Sequence, residues 1–104
     1  MRLTAEQHHA IVSAVHRRFG QDARVLLFGS RADDAKRGGD IDLLVEIPAG
    51  RDGRSEAHEL ARLQTISDIQ RAIGDQKIDL VVTHAGAEDP RLVVAEAHRT
   101  GVPL

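Results

Sequence analysis

Apolar side chains recur at helical spacing near the start of the chain. One helical stripe contains four of them: Ile11, Val12, Val15 and Phe19. Thr4 occupies the position of an N-cap, and Gln7, three residues later, completes a capping box. Gly20 follows the stripe and is typical of a helix end. The pattern therefore predicts a first helix between Thr4 and Gly20.

Three later segments have the hydrophobic patterns of β-strands. Arg24–Phe28 is a short apolar run with the length of a buried strand. The segment 40–47 alternates, with one face formed by Ile41, Leu43, Val45 and Ile47 and the other by Asp40, Asp42, Leu44 and Glu46. Lys77–Thr83 is the third segment. The alternation predicts that the middle strand is half-buried.

Glycine, proline and capping residues divide these segments. Gly29-Ser30 is expected to end the first strand and residues 31–35 to form a short helix, and Lys36–Gly39 and Pro48–Arg54 have the composition of loops. A long helix capped by Ser55 extends to Ile73 and closes at Gly74. Its expected inward residues are Leu60, Leu63, Ile66, Ile69 and Ile73.

The last helix is expected to begin at Asp89-Pro90, with Asp89 as N-cap and Pro90 as first helical residue. It extends to about Arg99, and a short tail follows Gly101. The element order α-β-(α)-β-α-β-α predicts an α/β (α+β) fold with a three-stranded mixed sheet. We expect helices on one face of the sheet and an open second face.

Composition narrows the class of protein. The 104 residues suit a single domain, residues 1–104, and the net charge of −2 gives no basic excess for direct binding of nucleic acid. Phe19 and Phe28 are the only aromatic residues, too few for a base-stacking module. The chain has no cysteine, no apolar leader and no run near the ~20 apolar residues of a membrane span. We therefore expect a soluble, cytoplasmic protein without a membrane partner.

Carboxylates dominate the polar face of the middle strand. Asp40 and Asp42 are two residues apart, so strand periodicity places both on one face, roughly 7 Å apart. Asp79 is the acid of the third strand, and it approaches the pair if the two strands are neighbours. Converging carboxylates repel one another unless a cation lies among them, and Mg²⁺ is the usual cation beside phosphates. The alternative, solvated edge-strand acids, is weakened by the occurrence of all three.

A second polar feature lies at the end of the first strand. Gly29 allows close approach of a phosphate, and Ser30 can donate its hydroxyl. Arg31, Lys36 and Arg37 add positive charge, although a solvated loop is an equal interpretation of Lys36 and Arg37. Six histidines show no zinc-site spacing, and we interpret them as surface or packing residues. These features together predict a metal and triphosphate site that performs in-line displacement at phosphorus.

The segment Gly29-Ser30, nine residues, then Asp40-Ile41-Asp42-Leu43 resembles the Gly-Ser…Asp-x-Asp signature of the DNA polymerase β-like nucleotidyltransferase superfamily. It is most similar to the minimal nucleotidyltransferase family, over nearly the whole chain. The resemblance implies the nucleotidyltransferase fold and maps the third catalytic acid onto Asp79. Asp40, Asp42 and Asp79 would bind two Mg²⁺ ions and be catalytic.

The same resemblance implies a substrate and a partner. Gly29 and Ser30 would hold the phosphates of ATP, and Arg31 or Arg37 would contact the triphosphate. Members of the family pair with an all-helical HEPN toxin and, in some pairs, neutralise it by transferring AMP to a tyrosine. The chain would then be an antitoxin and a protein adenylyltransferase.

Two alternatives remain at this point. The chain could be a non-catalytic antitoxin that occludes its HEPN partner, in which case the three aspartates would be dispensable. It could also be a small-molecule nucleotidyltransferase that assembles as an oligomer. The sequence does not distinguish ATP from other nucleoside triphosphates, because no base-reading motif is present.

Overall fold

A computed structural model describes residues 3–32, 39–48, 55–86 and 88–104, and the side chains of residues 55 and 56 lie outside this description. Within these ranges the fold has three helices and four strands, with a short 3-10 helix at Gly29–Ala32. The helices are α1 Ala5–Phe19, α2 Ser55–Ile73 and α3 Leu92–Thr100. The strands are β1 Arg24–Phe28, β2 Ile41–Ile47, β3 Ile78–His84 and β4 Val102–Pro103.

The strands form one mixed sheet in the order β3-β2-β1-β4. β1 is antiparallel to β2 and to β4, whereas β2 and β3 are parallel, joined through α2. The predicted fold class is confirmed, but the sheet has four strands instead of three. Residues 102–103, which the sequence places in a tail, pair instead with Leu26 and Leu27 of β1. Two residues are too short for a hydrophobic pattern to reveal a strand.

Successive side chains along each strand point to opposite faces of the sheet, and each face has its own hydrophobic core. The larger core joins α1 and α2 to one face of the sheet and includes Ile11, Leu27, Leu43 and Ile69, all fully buried. The smaller core on the other face joins α3 to β1 and β2 and contains Leu26, Phe28, Leu44, Val94 and Ala97. The expectation of helices on one face only is therefore wrong in one respect, since α3 covers part of the second face and leaves the remainder open.

The N-terminal helix begins as the sequence predicts. The Thr4 hydroxyl accepts a hydrogen bond from the Gln7 amide at 3.0 Å, and the Gln7 side chain accepts one from the Thr4 amide at 3.0 Å. This reciprocal capping box satisfies amides that have no partner within the helix. The helix ends at Gly20, whose φ of 103° lies in the region that favours glycine.

The buried side of α2 differs from the expected one. Ile69 is fully buried and Ile66 and Ile73 are partly buried, as predicted, but Leu60 and Leu63 are 58% and 52% exposed. Thr65 is buried in their place, and its hydroxyl donates to the Ala61 carbonyl at 2.7 Å. Because that hydrogen bond satisfies the hydroxyl within the helix, a threonine can lie on the buried side.

The start of α3 also differs from the prediction. The helix begins at Leu92, with Arg91 in the N-cap position, and not at Pro90. The Asp89 carboxylate accepts hydrogen bonds from the Thr83 hydroxyl at 2.8 Å and from the amide and guanidinium of Arg91. Asp89 therefore fastens the turn after β3 instead of capping the helix. Short-range motifs predicted a cap because they do not include the buried Thr83.

Among the helices that the structure describes, none combines the length and apolar character that crossing a membrane requires.

An ion-pair cluster connects α1 to α2. Arg18 donates to Asp68 at 2.8 and 3.2 Å, and Arg17 donates to it at 3.1 Å. The Asp68 side chain is only 8% exposed. Hydrogen bonding from Arg18 lowers the pKa of the Asp68 carboxyl, and the Arg17 hydrogen bond acts in the same direction. The ionised carboxylate therefore stabilises the packing of the two helices.

We expect Asp68→Asn to lower the melting temperature at neutral pH by about 5 °C, because it removes the charge that two arginines bind. A depressed folded pKa contributes stability above the unfolded value, and this stability is lost as pH falls through the folded value. The difference from wild type should therefore shrink below about pH 4. Thermal melts over a pH series, with the exposed Asp75→Asn as control, test this. A difference independent of pH would contradict it.

Candidate functional site

Parallel pairing of β2 with β3 brings two of the predicted acids together. Asp42 and Asp79 are direct Cα partners in the register of these strands. Since side chains of paired residues lie on the same face of a sheet, their carboxyl groups are neighbours. That face is the one covered only in part by α3. The adjacency on which the role of Asp79 depended is therefore present in the fold.

The environment of Asp42 disfavours its negative charge. Burial raises the pKa of the Asp42 carboxyl, and the charges of Asp79 and Asp40 and a hydrogen bond with Asp79 raise it further, whereas Lys77 lowers it. A group whose charged form is disfavoured by burial and by like charges gains from a nearby cation. The pair Asp42 and Asp79 is thus a place where positive charge stabilises the structure.

Asp40 does not join this pair directly. Its carboxylate lies 3.6 Å from the Lys77 ammonium, and both side chains are largely exposed. Lys77 immediately precedes β3, and its carbonyl accepts a hydrogen bond from the Ile41 amide at 2.9 Å. The third acid of the motif is therefore near the other two but is paired with a lysine.

Gly29 lies against the carboxylate of Asp42. Its φ of +71° is a conformation that favours glycine, and a Cβ atom built at this position would overlap Asp42 Oδ2. Register explains the approach, because Phe28 is the Cα partner of Asp42 and Gly29 is the next residue. Gly29 is thus required both by backbone conformation and by the volume of the acid.

A cleft of about 560 Å³ adjoins the acid pair. Its polar lining includes Asp42, Asp79, Arg62 and Glu96, and its apolar wall includes Phe28, Val81, Leu92 and Val93. Arg62 donates to Glu59 at 3.0 and 2.6 Å, so its guanidinium is held beside the cleft by a neighbour on α2. The cleft can accept a ligand with one polar and one apolar end.

The basic residues near the motif occupy different positions. Arg31 donates to the Gly39 carbonyl at 3.3 and 3.1 Å and to Gln76 Oε1 at 3.2 Å. Its guanidinium is therefore engaged with two chain segments. Lys36 and Arg37 lie outside the described residues. Ser30 lies in the 3-10 helix Gly29–Ala32. Of the short helix predicted over residues 31–35, only residues 31 and 32 lie within the described part of the chain.

The donor set fits a hard divalent cation through two carboxylates. Carboxylate oxygens are the ligands that Mg²⁺ prefers, and Mg²⁺ commonly retains several waters beside one or two carboxylates. Within the described ranges, no group of three His, Cys, Asp or Glu side chains is arranged to hold a metal ion. Asp42 and Asp79 are consequently the residues that would hold such an ion in this arrangement of side chains.

Sequence reasoning missed several residues of the site. The position of Lys77 near the site could have been inferred from the sequence, because Lys77 precedes Asp79 by two residues at the start of the same strand. Leu92, which is 87% exposed, Val93 and Glu96 gave none, since their place at the cleft depends on α3 crossing the second face of the sheet. Their place at the cleft can be recognised only from the tertiary structure.

A family model described as the nucleotidyltransferase domain matches residues 9–99, which is most of the chain. The matched segment includes Gly29, Ser30 and the three aspartates. No curated protein matches the chain.

We expect Gly29→Ala to weaken binding of a divalent cation by about tenfold or more, because its Cβ displaces the Asp42 carboxylate. Gly86→Ala is the matched control, since Gly86 has a similar φ of +78° but a Cβ there would meet no atom of the described residues within 4 Å. Both variants should lose about 1 kcal/mol of stability from left-handed backbone strain. Mn²⁺ titration followed by electron paramagnetic resonance measures the affinity. Equal affinity in the two variants would contradict the role of the contact.

Proposed function

The chain belongs to the nucleotidyltransferase domain family, within the polymerase β-like superfamily, and on that premise we propose that it transfers AMP from ATP to a hydroxyl of a protein partner. The proposal is supported above all by one observation: Asp42 and Asp79 are register partners and Gly29 contacts Asp42. Gly29, for which we propose a phosphate contact, and two acids of the motif thereby line one cleft.

Each residue of the motif has a distinct role in this proposal. Asp42 and Asp79 would hold Mg²⁺, and Asp40 would join them on release of its contact with Lys77. The ion supplies charge neutralisation on the triphosphate and the leaving group. Gly29 and Ser30 contact the phosphates.

The chemical step is an in-line displacement. The acceptor oxygen forms a bond to the α-phosphorus, the bond from that phosphorus to the bridging oxygen breaks, and pyrophosphate leaves with the electron pair. Asp79, an exposed carboxylate that lines the cleft, takes the proton of the acceptor hydroxyl. The inner part of the apolar wall, where Phe28 and Val81 lie, receives the nucleoside, and the exposed Leu92 and Val93 at its outer edge are left for the acceptor.

The acceptor in this proposal is a tyrosine of a helical HEPN-family toxin, which the transfer neutralises. The described residues all belong to the nucleotidyltransferase fold. In this proposal the acceptor hydroxyl therefore belongs to another molecule. Leu92 and Val93 form an exposed apolar rim on the cleft that contains Asp79. A partner that binds this rim would present its hydroxyl to the acid pair.

Transfer can be tested with α-labelled ATP, Mg²⁺ and the product of the neighbouring gene. We expect label in the partner with wild type and at least about a hundredfold less with Asp42→Ala or Asp79→Ala, because each removes a carboxylate of the pair. Asp75→Ala, an exposed acid outside the cleft, is the control.

Equal labelling by wild type and Asp42→Ala would refute the catalytic role of the pair. Toxin neutralisation that persists in both variants without labelling would favour the occlusion mechanism. Transfer to a small hydroxyl compound, with none to protein, would identify a small-molecule enzyme and refute the protein acceptor.

The apolar rim gives a second prediction. Leu92→Ser should reduce transfer to the protein acceptor by about tenfold, since a central apolar contact of an interface commonly contributes more than 1 kcal/mol. It should leave the melting temperature and ATP binding near wild type, because Leu92 is 87% exposed. Leu60→Ser is the control, as Leu60 is also exposed but does not line the cleft. An equal loss of transfer in Leu92→Ser and Leu60→Ser would contradict a specific role of the rim in binding the acceptor.

A further inference from the structure

One arginine connects the three chain segments that carry the motif. Arg31 directly follows Gly29-Ser30, and its guanidinium donates twice to the Gly39 carbonyl, one residue before Asp40. The same guanidinium donates to Gln76 Oε1, in the segment that leads into β3 and Asp79. These segments are 8 and 45 residues away in sequence. Arg31 therefore bridges the starts of the two strands that contain the acids.

The second acceptor is itself fixed in position. The Gln76 amide donates to the Gly74 carbonyl at 2.8 Å, and the Gln70 side chain donates to the Gln76 carbonyl at 3.0 Å. Gln76 is thus anchored to the end of α2. A residue that binds Gln76 and Gly39 together connects this anchored end to the beginning of β2.

The chemistry of arginine suits this bridge. A guanidinium is planar and presents several donors in a fixed fork, whereas a lysine ammonium is a compact point charge on a flexible stem. Nε and Nη2 of Arg31 both donate to the Gly39 carbonyl, and Nη2 also donates to the side-chain oxygen of Gln76. A lysine could keep the charge but not this geometry.

We propose that Arg31 is a positioning residue, which fixes Gly29-Ser30 relative to the ends of β2 and β3, and is not a ligand of the triphosphate. This inference rests on the proposed function for its kinetic consequence. Loss of the bridge leaves Gly29-Ser30 and the acid pair held by strand register alone, so their relative position is fixed less closely. The chemical step then suffers more than nucleotide binding.

Three variants test the proposal: Arg31→Lys, Arg31→Gln and Gln76→Leu. We expect Arg31→Lys and Arg31→Gln to lower kcat similarly, by about tenfold or more, with the KM for ATP within about twofold of wild type. Gln76→Leu should also lower kcat. The double variant Arg31→Lys/Gln76→Leu should have nearly the same kcat as Arg31→Lys alone, because both substitutions break the same bridge. Arg24→Gln, exposed at the other end of β1, is the control and should match wild type.

A triphosphate ligand predicts a different pattern. Arg31→Gln would then raise the KM for ATP about tenfold or more, Arg31→Lys would retain much of the activity, and Gln76→Leu would act independently. That pattern would overturn the proposal, and so would wild-type kinetics in all three variants.

Structural measurements separate this proposal from the proposed function. Mn²⁺ affinity and the melting temperature are measured for the single variants and for the double variant Arg31→Lys/Gln76→Leu. Non-additive shifts in both support the bridge even if wild type transfers no nucleotide, in which case the proposed function alone fails. Additive shifts, or unchanged Mn²⁺ affinity in Arg31→Lys, overturn the bridge whether or not transfer occurs.

Discussion

Two carboxylates side by side on parallel strands are the constraint around which the site is built. Asp42 and Asp79 are register partners, and neither can move away without shifting a strand whose next residues, Leu43 and Leu80, are buried in the larger core. Repulsion and burial disfavour the charge on Asp42. The packing of the sheet offsets this cost, and a bound cation would relieve it. A fold that maintains such a pair does so at the expense of some stability.

The other features of the site follow from the same pair. Gly29 must lack a side chain because Asp42 occupies the space that a Cβ would take. The third helix packs on the smaller core through Val94 and Ala97, and its first residues then form the outer rim of the cleft. Nucleotidyl transfer needs acids, phosphate contacts and an acceptor to meet at one place, and the cleft brings Asp42 and Asp79 together with Gly29, for which we propose the phosphate contact.

Sequence patterns predicted what depends on local periodicity. The alternation of residues 40–47 predicted β2 with Asp42 on its polar face, although the strand begins at Ile41 and Asp40 lies one residue before it, and the capping box of Thr4 located the first helix. The contact of Asp79 with Asp42 could not be obtained this way, because it depends on a parallel crossover through α2. The exposure of Leu60 and Leu63 was missed because a satisfied threonine occupies the buried side. The engagement of Arg31 with Gln76 joins residues far apart in sequence, where composition suggested only a positive charge near phosphate.

The most direct test is the thermal stability of wild type and Asp42→Asn, with and without Mg²⁺ or Mn²⁺. Without divalent cation, Asp42→Asn should melt above wild type, since the substitution removes a charge that its surroundings disfavour. Saturating cation should raise the wild-type melting temperature by about 5 °C or more and leave Asp42→Asn nearly unchanged. If Asp42→Asn melts below wild type without cation, the charge on Asp42 carries no net cost, and if the cation stabilises both proteins equally, the acid pair is not the cation site.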